Sequence, residues 1–416
     1  MSESRVITFG CRLNSFESEI IRSHSTFVNS KDVVVINTCA VTAEAERQAR
    51  QMIRKTRREQ PNAKIVVTGC AAQISPEAYA SLPEVDQVIG NEEKLKSESF
   101  SPYEMRPVLV NEITDARKAK INPITKFPGR SRAFVQVQNG CNHRCTFCII
   151  PYGRGPSRSI PLGEIVSKTR ALVNSGYREL VFTGVDISAY GNDLPGKPSL
   201  GQALRRILQI VPSLKRLRLS SIDPAEIDSD LIDLIANEPR LMPHIHLSLQ
   251  SGDDIILKRM KRRHDRSNII QTCDKLKKLR PGIVFGADII AGFPTETTPM
   301  FNNTVELIKD AGLTWLHVFP YSAREGTPAS RMPQIEKNLI RERAAALRGL
   351  GTKMENAFLD TQIGRNQRIL MESDQIGRSE HFAKVRVTGA TVKSGQLLSI
   401  CPNGREGQIL VAEHMK

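Results

Sequence analysis

Three cysteines fall close together in "GCNHRCTFC", at Cys141, Cys145 and Cys148. The spacing C-x3-C-x2-C gathers three thiolates on one loop, and thiolates so placed bind metal. Zinc sites favour paired C-x2-C elements and close with four protein ligands. His143 lies inside the loop, where service as a fourth ligand would strain so tight a turn. A four-iron cluster takes one thiolate per iron, so three cysteines leave one iron open. An open iron can chelate a small molecule through amino and carboxylate groups, as S-adenosylmethionine offers, and reductive cleavage of its sulfonium would release a carbon radical.

A second set of cysteines is dispersed along the chain. "RVITFGC" ends at Cys11, "DVVVINTC" at Cys39 and "KIVVTGC" at Cys70. Each is an apolar, β-branched run of strand length. Polar stretches of helical character follow, "SFESEIIRSH", "TAEAERQARQMIRKTRRE" and the start of another in "SPEAYASL". This alternation predicts a parallel sheet with crossover helices. Neighbouring parallel strands finish on one edge, so three strand-end cysteines can meet there. One buried cysteine alone would be ordinary packing. Three in equivalent positions imply a shared metal site.

The stretch from about Lys94 to Arg132, including "INPITKFPGRSR", reads as a linker. A second βα series then begins. Its candidate strands are "AFVQVQ", "ELVFTG", "RLRLSS", "HIHLSLQ", "IVFGADIIAG" and "WLHVFP". Six βα units fit a barrel, complete or partial, with chemistry on the loops that follow each strand. Beyond the helix-rich "NLIRERAAALRGLGTKMENAFLD" the pattern changes to short strands between Gly, Asn and Ser turns, as in "RILMES", "AKVRVTG", "QLLSICP" and "GQILVAE". That style predicts a small antiparallel barrel serving as an accessory binding module. The expected fold class is therefore α/β in three parts. Residues 1–110 form a parallel α/β domain, 127–357 a partial (β/α)6 barrel, and 358–416 a small β-barrel. Cys273 and Cys401 are expected in the core.

The apolar fraction of 40% and charged fraction of 25% are those of a soluble globular protein. No apolar run approaches a membrane span, and "MSESRVITFG" lacks the pattern of a secretory signal. The expected location is the cytoplasm, whose reducing conditions argue against a disulfide framework for the eight cysteines. A formal charge of +15, from 59 Lys+Arg against 44 Asp+Glu, favours a polyanionic partner. With aromatic content of only 5%, a nucleic acid would be held mostly by Lys and Arg. The densest basic runs, "RQARQMIRKTRR" and "KRMKRRHDR", both read as helical. Either could bind phosphate or form a solvated face.

Taken together, "CNHRCTFC" resembles the radical S-adenosylmethionine signature, which follows the first strand of a partial (β/α)6 barrel. With the three N-terminal cysteines, "FTGVDISAYG", "LSLQSGDD", "DIIAGFPTETT" and "FPYSAREGTPAS", the chain resembles the methylthiotransferase family over almost its whole length. The resemblance implies two [4Fe-4S] clusters. One sits on Cys141, Cys145 and Cys148 and generates the radical, and an auxiliary one sits on Cys11, Cys39 and Cys70. It also implies that the C-terminal barrel corresponds to the TRAM domain, an RNA-binding module. "FGCRLNSFESE" is similar to the branch acting on N6-threonylcarbamoyladenosine at tRNA position 37. The alternatives are isopentenyladenosine-37 of tRNA and a ribosomal-protein aspartate. Thr295 and Ser248 depart from the family pattern, which usually has Gly and Pro there.

The implied reaction replaces adenine C2–H by C–SCH3. Phe147 is a candidate to pack on the cofactor's adenine. Thr183, Gly184 and Asp186 in "FTGVD" suit its amino and ribose groups, and Gln250 and Ser251 its ribose or carboxylate. Asp288 could equally be a core hydrogen-bonding residue, and Arg154 and Arg158 are candidates for phosphate contacts or, equally, for salt bridges inside the barrel. The expected partners are the tRNA anticodon loop, whose target base must be splayed out of its stack, and an electron donor such as a flavodoxin-type protein. The sulfur donor is open. Two other classes compete. A pure electron carrier would have fully ligated clusters, and an RNA-binding protein with structural metal would not need the strand-end motifs.

Overall fold

The computed structural model describes residues 5–24, 33–101, 104, 106–117, 119, 129–389 and 392–414. They pack as two compact units. The first draws on Met1–Ile124, Gln138–Ile160 and Ser322–Arg331, and the second on Thr125–Val137, Pro161–Tyr321 and Met332–Lys416.

In the first unit five parallel strands stand in sequence order: β1 (Arg5–Thr8), β2 (Val33–Thr38), β3 (Lys64–Gly69), β4 (Gln87–Ile89) and β5 (Val108–Leu109). Alternate residues of β2 and β3 face two separate cores, as the two-residue strand period requires. Val34, Ile36, Ile65 and Val67 enter one, and Val35 and Val66 the other with Val6, Ile21, Ile89 and Phe100. Helix α1 (Arg12–Ser23) follows β1 and helix α2 (Ala43–Glu59) follows β2. Thr42 caps α2 by accepting from the Ala45 N–H at 3.1 Å. Glu44 and Glu46 in its first turn and Arg57 and Arg58 in its last complement the helix dipole.

The expected linker is only partly one. Lys94 is fully buried against Glu17, and Val108–Leu109 pairs with β4, so this part of the stretch belongs to the first unit. Residues 120–128 of that stretch lie outside the described residues.

The second unit holds six parallel strands, Ala133–Gln136, Glu179–Thr183, Arg216–Leu219, His244–Gln250, Val284–Ala291 and Leu313–Pro320. The first three form one ladder and the last three another. Isolated parallel bridges, Leu217 to Leu241 and Ile222 to Leu247, join them. The result is a partial barrel whose strands run in chain order.

At the amino ends of its strands a buried carboxylate gathers three arginines. Glu179 lies 2.8 Å from Arg218 Nε, 3.4 Å from Arg216 Nη1 and 3.3 Å from Arg132 Nε. The same arginines reach the C-terminal strands, where Arg218 donates to Ser379 O at 2.8 Å and Arg216 to Arg368 O at 2.5 Å. Between them the Phe382 ring has the guanidinium carbons of Arg132, Arg218 and Arg378 within 5.1, 5.1 and 4.6 Å, and stacks on His244. Cation–π contacts of this kind add to ordinary packing.

The C-terminal module is a six-stranded sheet, antiparallel except where Lys384–Thr388 pairs parallel with Ile409–Glu413. Its core of Ile369, Met371, Val385, Val387, Ile400 and Leu410 also takes in Leu359 of the long helix Lys337–Gln362. Trp315 of the last barrel strand donates to His381 O at 3.1 Å. The module is thus bolted to the barrel. Cys273 is buried, as expected, but Cys401 is exposed, because it lies just past the strand Leu397–Ile400.

Candidate active site

Cys11, Cys39 and Cys70 lie just beyond the carboxyl ends of the adjacent strands β1, β2 and β3. Two glycines let these strand ends approach one another closely. At Gly10, with φ +94, a Cβ would stand 2.6 Å from Cys39 Cβ and 2.7 Å from its Sγ. At Gly69, with φ +98, a Cβ would meet Thr38 O at 2.3 Å. Burial first, then the neighbouring Cys70, pushes the Cys39 thiol up to about 12, and Cys11 adds to the rise. Cys39 therefore keeps its proton until a cation displaces it, which is how a buried thiol takes up metal. Three sulfur donors at neighbouring strand ends on one sheet edge fit an iron–sulfur cluster with one position left over.

Under these sulfurs runs a buried polar network. Arg154 Nε donates to Cys70 Sγ at 3.1 Å, and its Nη groups go to Glu17 and Asn14. Lys94 Nζ lies 2.6 Å from Glu17 and donates to Asn91 Oδ1 at 2.7 Å. Asn91 Nδ2 donates to Gly153 O at 2.5 Å and lies 3.8 Å from Cys70 Sγ. Burial raises the Glu17 carboxyl, but Arg154 and Lys94 outweigh it and hold it below the usual carboxylate range. Of the two roles open to Arg154 and Arg158, phosphate contact is ruled out in favour of internal ion pairs, made within the first unit and not inside the barrel. Both are 2% exposed, and Arg158 pairs with Glu92 at 2.8 Å. In sequence, Asn14, Glu17 and Ser18 fall with Ile21 on one stripe of α1, a polar intrusion into a buried face that marks the network.

The loop with Cys141, Cys145 and Cys148 belongs to this same unit. The pairs Gln138–Ser159 and Asn139–Arg158 close its base. Gly140, at φ +73, lets the chain return so closely that a Cβ would stand 1.9 Å from Pro156 O. Cys141 N donates to Gly155 O at 3.1 Å, Cys148 N to Cys145 O at 3.0 Å, and Ala329 N to Thr146 O at 2.8 Å. The three cysteines, His143 and Phe147 are all partly exposed. A loop braced by its backbone, with accessible thiols, suits a cluster whose open iron meets a cofactor.

In the second unit, Thr183 is buried at the end of its strand, and Gly184 and Asp186 follow half-buried. Gln250 ends the fourth barrel strand with φ +76, at an irregularity in the register. Ser251 is buried and accepts from Asp253 N at 3.2 Å, within the cap of the helix Asp254–Arg259. Sequence reasoning left Asp288 undecided between two roles. Its Oδ1 lies 3.0 Å from His246 Nε2 and 3.2 Å from His317 Nδ1, and its Oδ2 accepts from Ser221 at 3.3 Å. Burial raises the Asp288 carboxyl, yet these imidazoles hold it well below the usual range. Neither histidine was singled out in the sequence, since each sits inside an apolar strand run. Thr295 adopts φ +69, which explains why glycine suits this position. Arg259 donates to its hydroxyl at 2.7 Å.

The two basic runs differ. α2 is one helix with Arg54 and Arg58 exposed, whereas "KRMKRRHDR" breaks into a helix ending at Arg259, a turn, and a helix starting at Arg266. Lys258, Arg259, Lys261 and Arg263 are exposed, and three arginines of the run are held by carboxylates. Arg262 and Arg263 pair with Asp223 at 2.9 and 3.2 Å, and Arg266 with Asp310 at 2.6 Å.

The model of the Radical SAM superfamily matches residues 135–317, and that of Uncharacterized protein family UPF0004 matches residues 3–90. The chain is 54% identical over 382 residues to the Threonylcarbamoyladenosine tRNA methylthiotransferase MtaB of Rickettsia prowazekii (strain Madrid E), covering 92% of this chain and 90% of that one. The chain belongs to the radical S-adenosylmethionine methylthiotransferase family. A tRNA-2-methylthio-N(6)-dimethylallyladenosine synthase of Cereibacter sphaeroides (strain ATCC 17023) is 31% identical over 440 residues, covering 99% and 100% of the two chains. Among solved structures, the radical S-adenosylmethionine methyltransferase TsrM of Kitasatospora setae superposes with a TM-score of 0.54 at 17% identity, covering 77% of this chain and 67% of that one, a likeness of fold. The cofactors of a methylthiotransferase of this family are S-adenosylmethionine and two [4Fe-4S] clusters. Among the described residues no helix is long and apolar enough to cross a membrane.

Proposed function

We propose that this methylthiotransferase inserts a methylthio group at C2 of N6-threonylcarbamoyladenosine at position 37 of tRNA. The observation that carries the reading is the presence in one compact unit of two cysteine triads, each of three sulfurs. Cys141, Cys145 and Cys148 would hold the radical-generating cluster, and Cys11, Cys39 and Cys70 the auxiliary one. When bound, the first cluster would pass an electron to one S-adenosylmethionine, whose cleavage gives methionine and the primary carbon radical that abstracts the C2 hydrogen; the auxiliary cluster would carry the sulfur to be inserted, and a second S-adenosylmethionine would donate the methyl group.

The protein's own residues orient and shield the reactants. Phe147 would pack on the adenine of S-adenosylmethionine, Thr183, Gly184 and Asp186 would meet its amino and ribose groups, and Gln250 and Ser251 its ribose or carboxylate. The boundaries near residues 110, 127 and 358 are proposed as those of the auxiliary-cluster domain, the radical core and the RNA-binding module. Exposed Arg54 and Arg58 of α2 are available to tRNA phosphate. A flavodoxin-type electron donor and a cytoplasmic location complete the proposal.

The threonylcarbamoyl branch is favoured by "CRLN" after Cys11 and by the 54% identity to a relative named for that substrate, against 31% to one named for dimethylallyladenosine. Anaerobically reconstituted protein, given S-adenosylmethionine, a low-potential reductant and tRNA, provides the test. Methylthio product should form on tRNA bearing N6-threonylcarbamoyladenosine at least about tenfold faster than on tRNA bearing isopentenyladenosine. The reverse order, or product only on a ribosomal-protein aspartate, would contradict it.

A further inference from the structure

A guanidinium buried as deeply as that of Arg154 needs a reason. Its Nε faces a sulfur, at 3.1 Å from Cys70 Sγ, and not a carbonyl or a carboxylate. Its remaining donors go to Asn14 Oδ1 and to Glu17, which Lys94 shares from 2.6 Å. Two buried cations thus divide one buried carboxylate, and this triad carries one positive charge beyond what it neutralises. Both cations act electrostatically on Cys70, and Arg154 acts on Cys11 as well. A buried surplus of charge is costly unless an anion faces it. A [4Fe-4S]2+ core on three thiolates carries one net negative charge, so the auxiliary cluster supplies that anion.

We infer that Arg154 is the positioning residue of the auxiliary cluster, donating to the Cys70 sulfur and raising the cluster's reduction potential by its charge and its hydrogen bond. Hydrogen bonds to cluster sulfurs and nearby charge are the protein's main means of setting that potential. The same residue anchors the arm leaving the radical loop. A Cβ on neighbouring Gly153 would stand 3.2 Å from Cys70 Cβ, and Gly153 O is held by Asn91. The inference rests on the reading of Cys11, Cys39 and Cys70 as cluster ligands.

The test uses the full chain carrying Cys141→Ala, Cys145→Ala and Cys148→Ala, so that iron is held only at the auxiliary site. Its midpoint potential is read by redox titration followed by electron paramagnetic resonance. In this background Arg154→Gln should lower the potential and Arg154→Lys should lower it less. Arg158→Gln should leave it in place, because Arg158 serves Glu92 and backbone carbonyls. Loss of iron from Arg154→Gln alone, with the thermal melting of the apo-protein kept, supports the same role. An unmoved potential with iron bound, or equal shifts from Arg154→Gln and Arg158→Gln, overturns the role of Arg154 and spares the ligand assignment. A parent variant that holds no iron overturns both.

Discussion

Replacing Cys70 by alanine is expected to abolish methylthio insertion while iron falls from about eight to about four per chain. Cys70 is 4% exposed and lies just past the end of β3, so alanine fits its place without displacing the sheet. Two sulfurs, Cys11 and Cys39, cannot hold a four-iron cluster, and Arg154 would face a methyl group. The loop with Cys141, Cys145 and Cys148 closes on its own backbone contacts, so the radical-generating site should survive. Cys70→Ala should therefore still cleave S-adenosylmethionine to 5′-deoxyadenosine. Cys145→Ala should lose that cleavage and keep the auxiliary iron. Iron analysis and product chromatography on the two variants separate the sites. Full iron content in Cys70→Ala would remove the auxiliary site from this position.

The largest effect on stability is expected at Glu179. Its carboxylate is fully buried, and three arginines converge on it. Glu179→Ala leaves Arg132, Arg216 and Arg218 without their common anion, a change that costs about 3–5 kcal/mol. Burial alone would raise the Glu179 carboxyl, but Arg218, Arg132 and Arg216 win and hold it below its ordinary value. Its contribution is therefore complete above the unfolded value of about 4.3 and is lost as pH falls through the lower folded one. Denaturant melts of the parent and Glu179→Ala should differ most at neutral pH, and the gap should narrow only in acid. Arg216 and Arg218 also donate to Arg368 O and Ser379 O, so the C-terminal module should loosen with the barrel. A gap that widens in acid would contradict this sign.

Strand and crossover order were legible because buried parallel strands leave long β-branched runs, as in "DVVVINTC" and "KIVVTGC". The cysteine sets were legible for a related reason, since strand-end position in a parallel sheet foretells a common edge. The charge network was not. Arg154 and Lys94 look like any surface cation in sequence, and only the fold shows that Glu17, 137 residues from Arg154, neutralises one of them. The stretch after Lys94 looked like a linker because its strand β5 spans two residues, too few to leave a period. Asp288 was ambiguous because its partners His246 and His317 come from neighbouring strands, in a ladder the sequence does not print.

The most direct measurement is nucleoside mass spectrometry of tRNA from cells lacking this gene. The 2-methylthio form of N6-threonylcarbamoyladenosine should disappear, with N6-threonylcarbamoyladenosine itself accumulating in its place, and the 2-methylthio form should return on complementation. An unchanged level of the 2-methylthio form of N6-threonylcarbamoyladenosine, with a methylthio group missing instead from isopentenyladenosine of tRNA or from a ribosomal protein, would contradict the account.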